Sequence, residues 1–337
     1  MKSNRAYLDW NATAPLRPEA REAMISAMDV VGNPSSVHSE GREAKRVIET
    51  ARRQIATAFG ADGADIVFVS GATEGAALAC AERGLKGADV EHDAVAAWID
   101  PVLSVSEQGI VTVDAPDQTA LQAANSETGV LQDLPQGLAV VDATQAFGKI
   151  PFAFNWCGAT MALISAHKLG GPKGIGALVM KRGTDIASQI KGGGQEMGRR
   201  SGTENLIGIA GFGAAAEAAQ RDLDAGIWGE VEKLRNVLEN LIADRAKETI
   251  FIGKSSARLP NTSCFAIPGW KGETQVMQMD LAGFAISAGS ACSSGKVRAS
   301  RVLGAMGYDE TVAASAIRVS LGLQTREEDV LRFVDAW

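Results

Sequence analysis

The apolar run Met161 to Ile164 breaks off into Ser165-Ala166-His167-Lys168-Leu169-Gly170-Gly171-Pro172-Lys173-Gly174, and a second apolar run, Gly176 to Met180, follows almost at once. The glycines and Pro172 interrupt regular structure, so the pattern predicts strand, polar turn, strand. A lysine at a strand exit is where open α/β sheets bind ligands. Its amine becomes a nucleophile when a partly desolvated pocket lowers its pKa, and the best-attested use is a Schiff base with pyridoxal 5'-phosphate, with Ser165 and His167 placed to hold the phosphate. Taken alone, the stretch also describes a surface lysine after a buried strand, so Lys168 has to be weighed with the rest of the chain.

From about Arg17 to Arg182 the sequence alternates strand and helix as open α/β sheets do. Pro18 suits the start of a helix running to about Asp29. Ala44, Val47, Ile48, Ala51, Ile55 and Ala58 recur at helical spacing, with Arg42, Glu43, Arg46, Glu49 and Arg53 facing away. Asp65 to Ser70 reads as a buried strand, and Gly71-Ala72-Thr73-Glu74 leads from it into an alanine-rich helix. Free N–H groups and the positive dipole end of such a helix bind phosphate, small residues allow close approach, and the Thr73 hydroxyl adds a donor. The same residues also make an ordinary turn with a threonine cap. His92 precedes another helix and carries no assignment alone. A helix over Gln118 to Ala124 is expected before the polar turn Asn125-Ser126-Glu127-Thr128-Gly129-Val130. Leu138 to Val141 is a strand with Asp142 at its exit, where a carboxylate either pairs with a pyridinium nitrogen or caps a helix, and Gln145 can meet the phenolic oxygen of such a ring.

Gly192 to Thr203 reads as a flexible polar loop. Helices are expected over Glu204–Asp222, about Gly229–Lys247 and Glu273–Leu281, with strands over Leu259–Ile267, Phe284–Ser287 and Ala316–Gly322. Arg318, on the last of these, is able to grip a carboxylate through two parallel hydrogen bonds. Thr325 to Glu328 reads as a capping box for the final helix. Of the four cysteines, Cys80, Cys157 and Cys264 sit among apolar residues and read as core. Cys292 lies in Ser287-Ala288-Gly289-Ser290-Ala291-Cys292-Ser293-Ser294-Gly295, small residues that cannot build a core, which predicts an accessible, mobile thiol. No C-x-x-C pair suggests a disulfide framework or a metal site.

A chain of 337 residues exceeds one usual core, so one large and one smaller domain are expected. A net charge of −7, with basic residues interspersed among acidic ones, argues against nucleic acid or an anionic membrane as the main partner. No signal pattern or membrane-spanning run is present, and a cytoplasmic protein is the expectation.

In combination and order, S-A-H-K at 165–168, G-G-G-Q-E…R-S-G-T-E-N from Gly192 to Asn205 and S-A-G-S-A-C-S-S-G from Ser287 to Gly295 resemble the cysteine desulfurases, pyridoxal phosphate enzymes of the class V aminotransferase group; the likeness runs from Tyr7 to the last helix. The resemblance implies an α/β protein of PLP-transferase fold type I, with a large domain (15–224) on a mainly parallel, seven-stranded-type sheet and a smaller α+β domain (1–14 and 225–337) carrying the cysteine loop. It implies that Lys168 carries the cofactor, that Thr73, Ser165 and His167 hold its phosphate, and that Asp142 pairs with the ring nitrogen. Gln145 would meet the ring oxygen, while His92 stacks on the ring and shuttles protons. Arg318 would hold the carboxylate of L-cysteine, and Cys292 would accept its sulfur as a persulfide, leaving alanine. Thr203 would reach the phosphate in the other subunit of a homodimer, and a sulfur-acceptor or iron–sulfur scaffold protein would take the product. The loop form resembles the group with the longer mobile cysteine loop. Another class V enzyme, such as a selenocysteine lyase or aminotransferase, and a non-catalytic PLP-fold binding protein are the alternatives. Three departures stand out: Ser126 where an asparagine is common, Trp10-Asn11 where smaller residues are, and a short link from Gly129 to Asp142, containing Pro135, where a helix usually fits.

Overall fold

A computed structural model describes residues 5–289 and 299–337. Its first element, β1 (Ala6–Tyr7), is held extended by a partner near the far end of the chain, pairing in parallel with Phe284 and Ala285. Pro18 then opens α1 (Pro18–Met28), as a residue with fixed φ and no N–H should. In α2 (Ser39–Ala58), Gly41, Ala44, Ile48, Ala51, Ile55 and Ala58 form the buried stripe, a helical repeat of mostly small side chains that lets a neighbouring helix lie close.

The sheet follows as β2 (Asp65–Val69), α3 (Ala72–Cys80), β3 (Leu85–Lys86), α4 (Asp93–Ala96), β4 (Ile99–Asp100), β5 (Ala120–Gln122), β6 (Val140–Asp142), α5 (Phe154–Cys157), β7 (Met161–Ser165) and β8 (Gly176–Met180). The continuous ladder is β2-β8-β7-β6-β5. β5, β6 and β7 are parallel, while β8 runs antiparallel to both neighbours, so it alone is reversed. β3 and β4 pair with each other and join the edge at β5 through the single bridge Lys86–Thr119. The seven strands implied by the resemblance are therefore present as five in a ladder and two at a frayed edge.

Alternate residues of the strands point into different cores: Ile66 and Phe68 join the helix side with Ile48, Ile55 and Phe212, whereas Val67 and Val69 meet Leu78, Leu163 and Leu178 on the α3 side. With both faces covered, continuous apolar runs are what these strands require. Each fully buried aliphatic side chain contributes about 1.5–3 kcal/mol.

Two local expectations fail here. Gln118 to Ala124, expected as a helix, is a short turn at Pro116–Gln118 followed by β5. Pro116 opens that turn, and Ala120, Leu121 and Gln122 are buried in register with Val140, Val141 and Asp142, so cross-strand pairing overrides the helical preference of alanine and leucine. The β5–β6 link contains no helix. It folds back through the bridge Ala124–Leu131 and a second bridge, Val130–Arg258.

The remaining elements are α6 (Leu206–Asp224), α7 (Ile227–Arg245), β9 (Ile250–Ile252), β10 (Thr262–Ala266), α8 (Gly272–Leu281), β11 (Phe284–Ala285), β12 (Ser287–Ala288), α9 (Arg301–Ala305), α10 (Glu310–Ser315), β13 (Ala316–Ser320) and α11 (Glu327–Ala336). An antiparallel sheet, β12-β13-β10-β9, packs around a second core of Leu8, Trp228, Phe265, Val319 and Phe333. The capping box expected from Thr325 lies one residue later: the Arg326 N–H donates to Asp329 Oδ2, while Thr325 Oγ1 accepts from the Gly322 N–H. Trp10 is 6% exposed, and its ring lies on Gly322, where a Cβ would stand 1.7 Å from a ring atom; glycine makes room for that indole.

Candidate active site

A cleft of about 640 Å³ opens at the carboxyl ends of β2, β5, β6 and β7, where ligands of open α/β sheets sit. Each strand delivers its groups at the point where pairing stops. β2 supplies Ser70 to Thr73, β5 Gln122 and Ser126, β6 Asp142, Thr144 and Gln145, and β7 Ser165, His167 and Lys168, with His92 and Lys173 completing the wall. Seven of the expected residues, Thr73, His92, Asp142, Gln145, Ser165, His167 and Lys168, thus share one cavity.

Lys168 ends a single 3₁₀ turn, Ala166–Lys168, directly after β7, and its Nζ donates to the carbonyls of Asn11 (2.6 Å) and Ala12 (3.0 Å). The N-terminal arm therefore forms one wall around the amine. Asp142 Oδ1 accepts from the Thr144 N–H at 2.9 Å, which orients the carboxylate. Asp142 ends a strand and caps no helix. His92 caps α4, its Nδ1 accepting from the Ala94 N–H at 3.1 Å, so in the neutral ring the proton sits on Nε2. His167 is held neutral: burial, then Lys168, Lys173 and Lys149, pull its pKa down to about 4.

At the start of α3 the helix has no side-chain cap, which leaves its first-turn N–H groups without that partner. A Cβ placed on Gly71 would project toward Ser165 Oγ, 3.9 Å away, so the glycine keeps open the space between the helix end and the serine. Glu74, in that first turn, is neutralised by Arg200 at 2.8 Å. Thr144 Oγ1 and Gln122 Nε2 are buried in the cleft wall with no partner among the described residues. An amine, an oriented carboxylate and an anion cradle in one cavity fit pyridoxal phosphate: the lysine for its aldehyde, Asp142 for its ring nitrogen, and the α3 terminus with Thr73, Ser165 and His167 for its phosphate.

Other expected residues lie elsewhere. Arg318 is 8% exposed and stands behind the wall, where its guanidinium donates to Asp9 Oδ1 (2.7 Å), the Ser126 carbonyl (2.9 Å) and Ser287 Oγ (3.1 Å). Thr203 is exposed and does not line the cleft. The polar loop before it, expected to be flexible, is pinned by Arg52–Glu196, Arg199–Asp65 and Arg200–Glu74. Cys292 lies outside the described residues. Cys80 and Cys264 are core residues, with burial pushing both thiols up to about 12, and Cys157 is half-buried. Trp10, despite its place beside Asn11, is not among the cleft residues.

Several residues near the site escape a reading of the sequence. Asn125 folds its turn, with Oδ1 accepting from Glu127 N, Thr128 N and Thr128 Oγ1, and Ser126 faces the cleft. Glu127 accepts a 2.5 Å bond from Ser300 Oγ, and burial raises its pKa to about 7 against the pull of Ser300, Arg318 and Arg301. Lys149 is 1% exposed and donates to Gln145 and Asn11. The one hint of it is a lysine inside the apolar stretch Ala146-Phe147-Gly148-Lys149-Ile150.

The class V aminotransferase family profile matches residues 6–97 and 104–333; its gap falls at β4, on the frayed edge of the sheet. A cysteine desulfurase of Cereibacter sphaeroides is 37% identical over 371 aligned positions, covering 98% of this chain and 94% of that one. One from Frankia sp. is 40% identical over 380 positions, covering 98% and 89%. Among solved structures, a NifS-like protein from Rickettsia africae superposes with a TM-score of 0.89 at 34% identity, covering 99% of this chain and 98% of that one. The chain therefore belongs to the class V aminotransferase family, on its cysteine desulfurase branch, whose cofactor is pyridoxal phosphate.

Proposed function

We propose that this protein is a pyridoxal phosphate-dependent cysteine desulfurase that converts L-cysteine to L-alanine and passes the sulfur to Cys292 as a persulfide. The observation that carries the reading is the convergence of Lys168, Asp142, His92 and the uncapped start of α3 on one cleft. Bound pyridoxal phosphate supplies an electron sink for the pair released at the substrate Cα. Asp142 would pair with the ring nitrogen, and the helix terminus with Thr73, Ser165 and His167 would hold the phosphate. A neutral His167 offers a hydrogen bond without a fixed charge. The Lys168 amine takes the Cα proton. Arg318 is the residue assigned to the substrate carboxylate, a role that requires its guanidinium to let go of the Ser126 carbonyl it grips, and Gln145 would meet the ring oxygen. The Cys292 thiolate attacks the substrate sulfur. The carbon–sulfur bond breaks, a sulfur–sulfur bond forms, and proton return to carbon leaves alanine.

The molecule is read as a homodimer in which Thr203 serves the other subunit's phosphate site. Support comes from Thr203 facing outward and from Ile25, Met28, Val31 and Val37, all more than half exposed around α1 and α2. Residues 15–224 are read as the large domain and 1–14 with 225–337 as the small one, because the core around Trp228 and Phe333 draws its buried members from the second set alone. A sulfur-acceptor protein, such as an iron–sulfur scaffold, is the expected consumer of the persulfide. Anaerobic incubation with L-cysteine and a reductant tests the reading: sulfide and alanine should appear in equal amounts, and alanine without sulfide, or neither, would sink it.

A further inference from the structure

A buried amine with no carboxylate against it is costly, since an apolar side chain of equal volume would remove the desolvation penalty. Among the described residues, Lys149 is such a group. It is 1% exposed, and its Nζ donates to two neutral acceptors, Gln145 Oε1 at 2.6 Å and Asn11 Oδ1 at 2.9 Å. An ammonium has three N–H groups, whereas a neutral amine has two, and two acceptors are what the pocket offers. Burial, with Lys168 and Arg318 nearby, holds its pKa well below the ordinary lysine range.

Both acceptors lead to the active site. Asn11, also 1% exposed, has its side chain fixed from three further sides by Asn261, Thr262 and the Ser126 carbonyl. Its backbone carbonyl accepts from Lys168 Nζ at 2.6 Å and from Gln145 Nε2 at 2.9 Å. Gln145 is thereby oriented at both ends. The Asn11 carbonyl can only accept, so it requires the Nε2 side, and the Lys149 amine takes Oε1. Turning the amide over would set two acceptors 2.9 Å apart. Gln145 lines the cleft, and its second Nε2 hydrogen has no partner among the described residues.

We propose that Lys149 is a positioning residue of this site: through Gln145 Oε1 and Asn11 Oδ1 it fixes the Gln145 amide as a hydrogen-bond donor to the phenolic oxygen of the cofactor and holds the Asn11 carbonyl against Lys168. The proposal rests on the pyridoxal phosphate reading above. A donor on the phenolic oxygen weakens that oxygen's hold on the proton shared with the cofactor–lysine linkage, so losing the donor raises the pH at which the chromophore titrates.

The test is a spectrophotometric pH titration of the cofactor-loaded protein. Lys149→Met, of similar length but without a donor, is expected to raise the absorbance midpoint by about one pH unit, the size of one hydrogen bond to a charged group, and to weaken cofactor retention in equilibrium dialysis. In a Gln145→Leu background the same change should move nothing further. Lys149→Gln, which keeps an N–H donor without a charge, should stay near the wild-type midpoint. Lower thermal stability of Lys149→Met with an unchanged midpoint overturns the proposal in favour of a structural role. An equal shift in both backgrounds overturns it in favour of a field effect. If Lys149→Met does not fold, a Lys149→Gln midpoint displaced by a full unit overturns it. Wild-type protein that binds no pyridoxal phosphate overturns both this inference and the proposed function, whereas a shift confined to the Lys149 variants leaves the function standing.

Discussion

The Arg318 guanidinium donates to Asp9 Oδ1 at 2.7 Å and stands one residue behind the cleft, gripping the Ser126 carbonyl from the far side. A cation paired with a carboxylate of the N-terminal arm is already oriented, and its buried Nε has no partner among the described residues.

Arg318→Ala should therefore raise KM for L-cysteine about 10–100-fold, the loss of one charged hydrogen bond, with little change in cofactor affinity. It also takes from Asp9 its cation, leaving the Ser287 hydroxyl as donor. The double variant with Asp9→Asn should recover thermal stability without recovering KM; a KM restored together with stability would assign Arg318 to structure alone.

Alkylation of the native protein at pH 8 should discriminate among the cysteines. Cys80 and Cys264, buried and raised to about 12, should resist iodoacetamide until the protein unfolds, and half-buried Cys157 should react slowly. Cys292 should label first. Cys292→Ser should still change the cofactor spectrum when L-cysteine is added, yet release almost no sulfide and carry no persulfide. Undiminished sulfide release would point to direct elimination instead.

Glu127 gives a pH dependence of defined sign. Its carboxyl is raised from the ordinary 4.5 to about 7 by burial, so the folded protein holds the proton more tightly than the unfolded chain. That contribution is complete below the ordinary carboxylate range and is lost as pH rises through about 7. Glu127→Gln should match wild type in melting temperature near the acid end of this window and exceed it by about 2–4 °C at pH 8. A variant less stable than wild type at pH 8 would show that Glu127 is ionised and well paired.

Mixing Lys168→Ala with Thr203→Ala protein tests the shared site. Subunit exchange should produce hybrids with one intact site and restore part of the activity lost in each parent. No recovery despite exchange, followed by mass labels, would place Thr203 outside the reaction.

The strands that bear the cleft are legible because β2, β7 and β8 are buried on both faces and read as unbroken apolar runs, and Lys168 is legible because glycine and proline isolate it at a strand exit. The parts that escape depend on contacts between distant residues. β5 reads as helix because Ala120 and Leu121 carry no trace of their pairing with Val140 and Val141. Arg318 reads as a free clamp because Asp9 is 309 positions away. Lys149 goes unread because Asn11, one of the two acceptors that hold it inside, is 138 positions away. The polar loop near Arg199 reads as flexible because the carboxylates that pin it, Asp65 and Glu74, belong to the first strand of the sheet and the helix after it.

The link from β5 to β6 has a mechanical consequence. Where a crossover helix would have floated on the sheet, this chain is stitched to its C-terminal part: the Leu131 N–H donates to the Ala257 carbonyl, the Leu259 N–H to the Gly129 carbonyl, and Gly129, at φ +77°, passes so close to Thr262 that a Cβ would lie 2.8 Å from it. A hinge cannot operate across a seam of that kind. Rotating one half of the molecule against the other would break these bonds together and drag Ser126 with them. The strap is thus a rivet that fastens the Ser126 side of the opening to the C-terminal part of the chain.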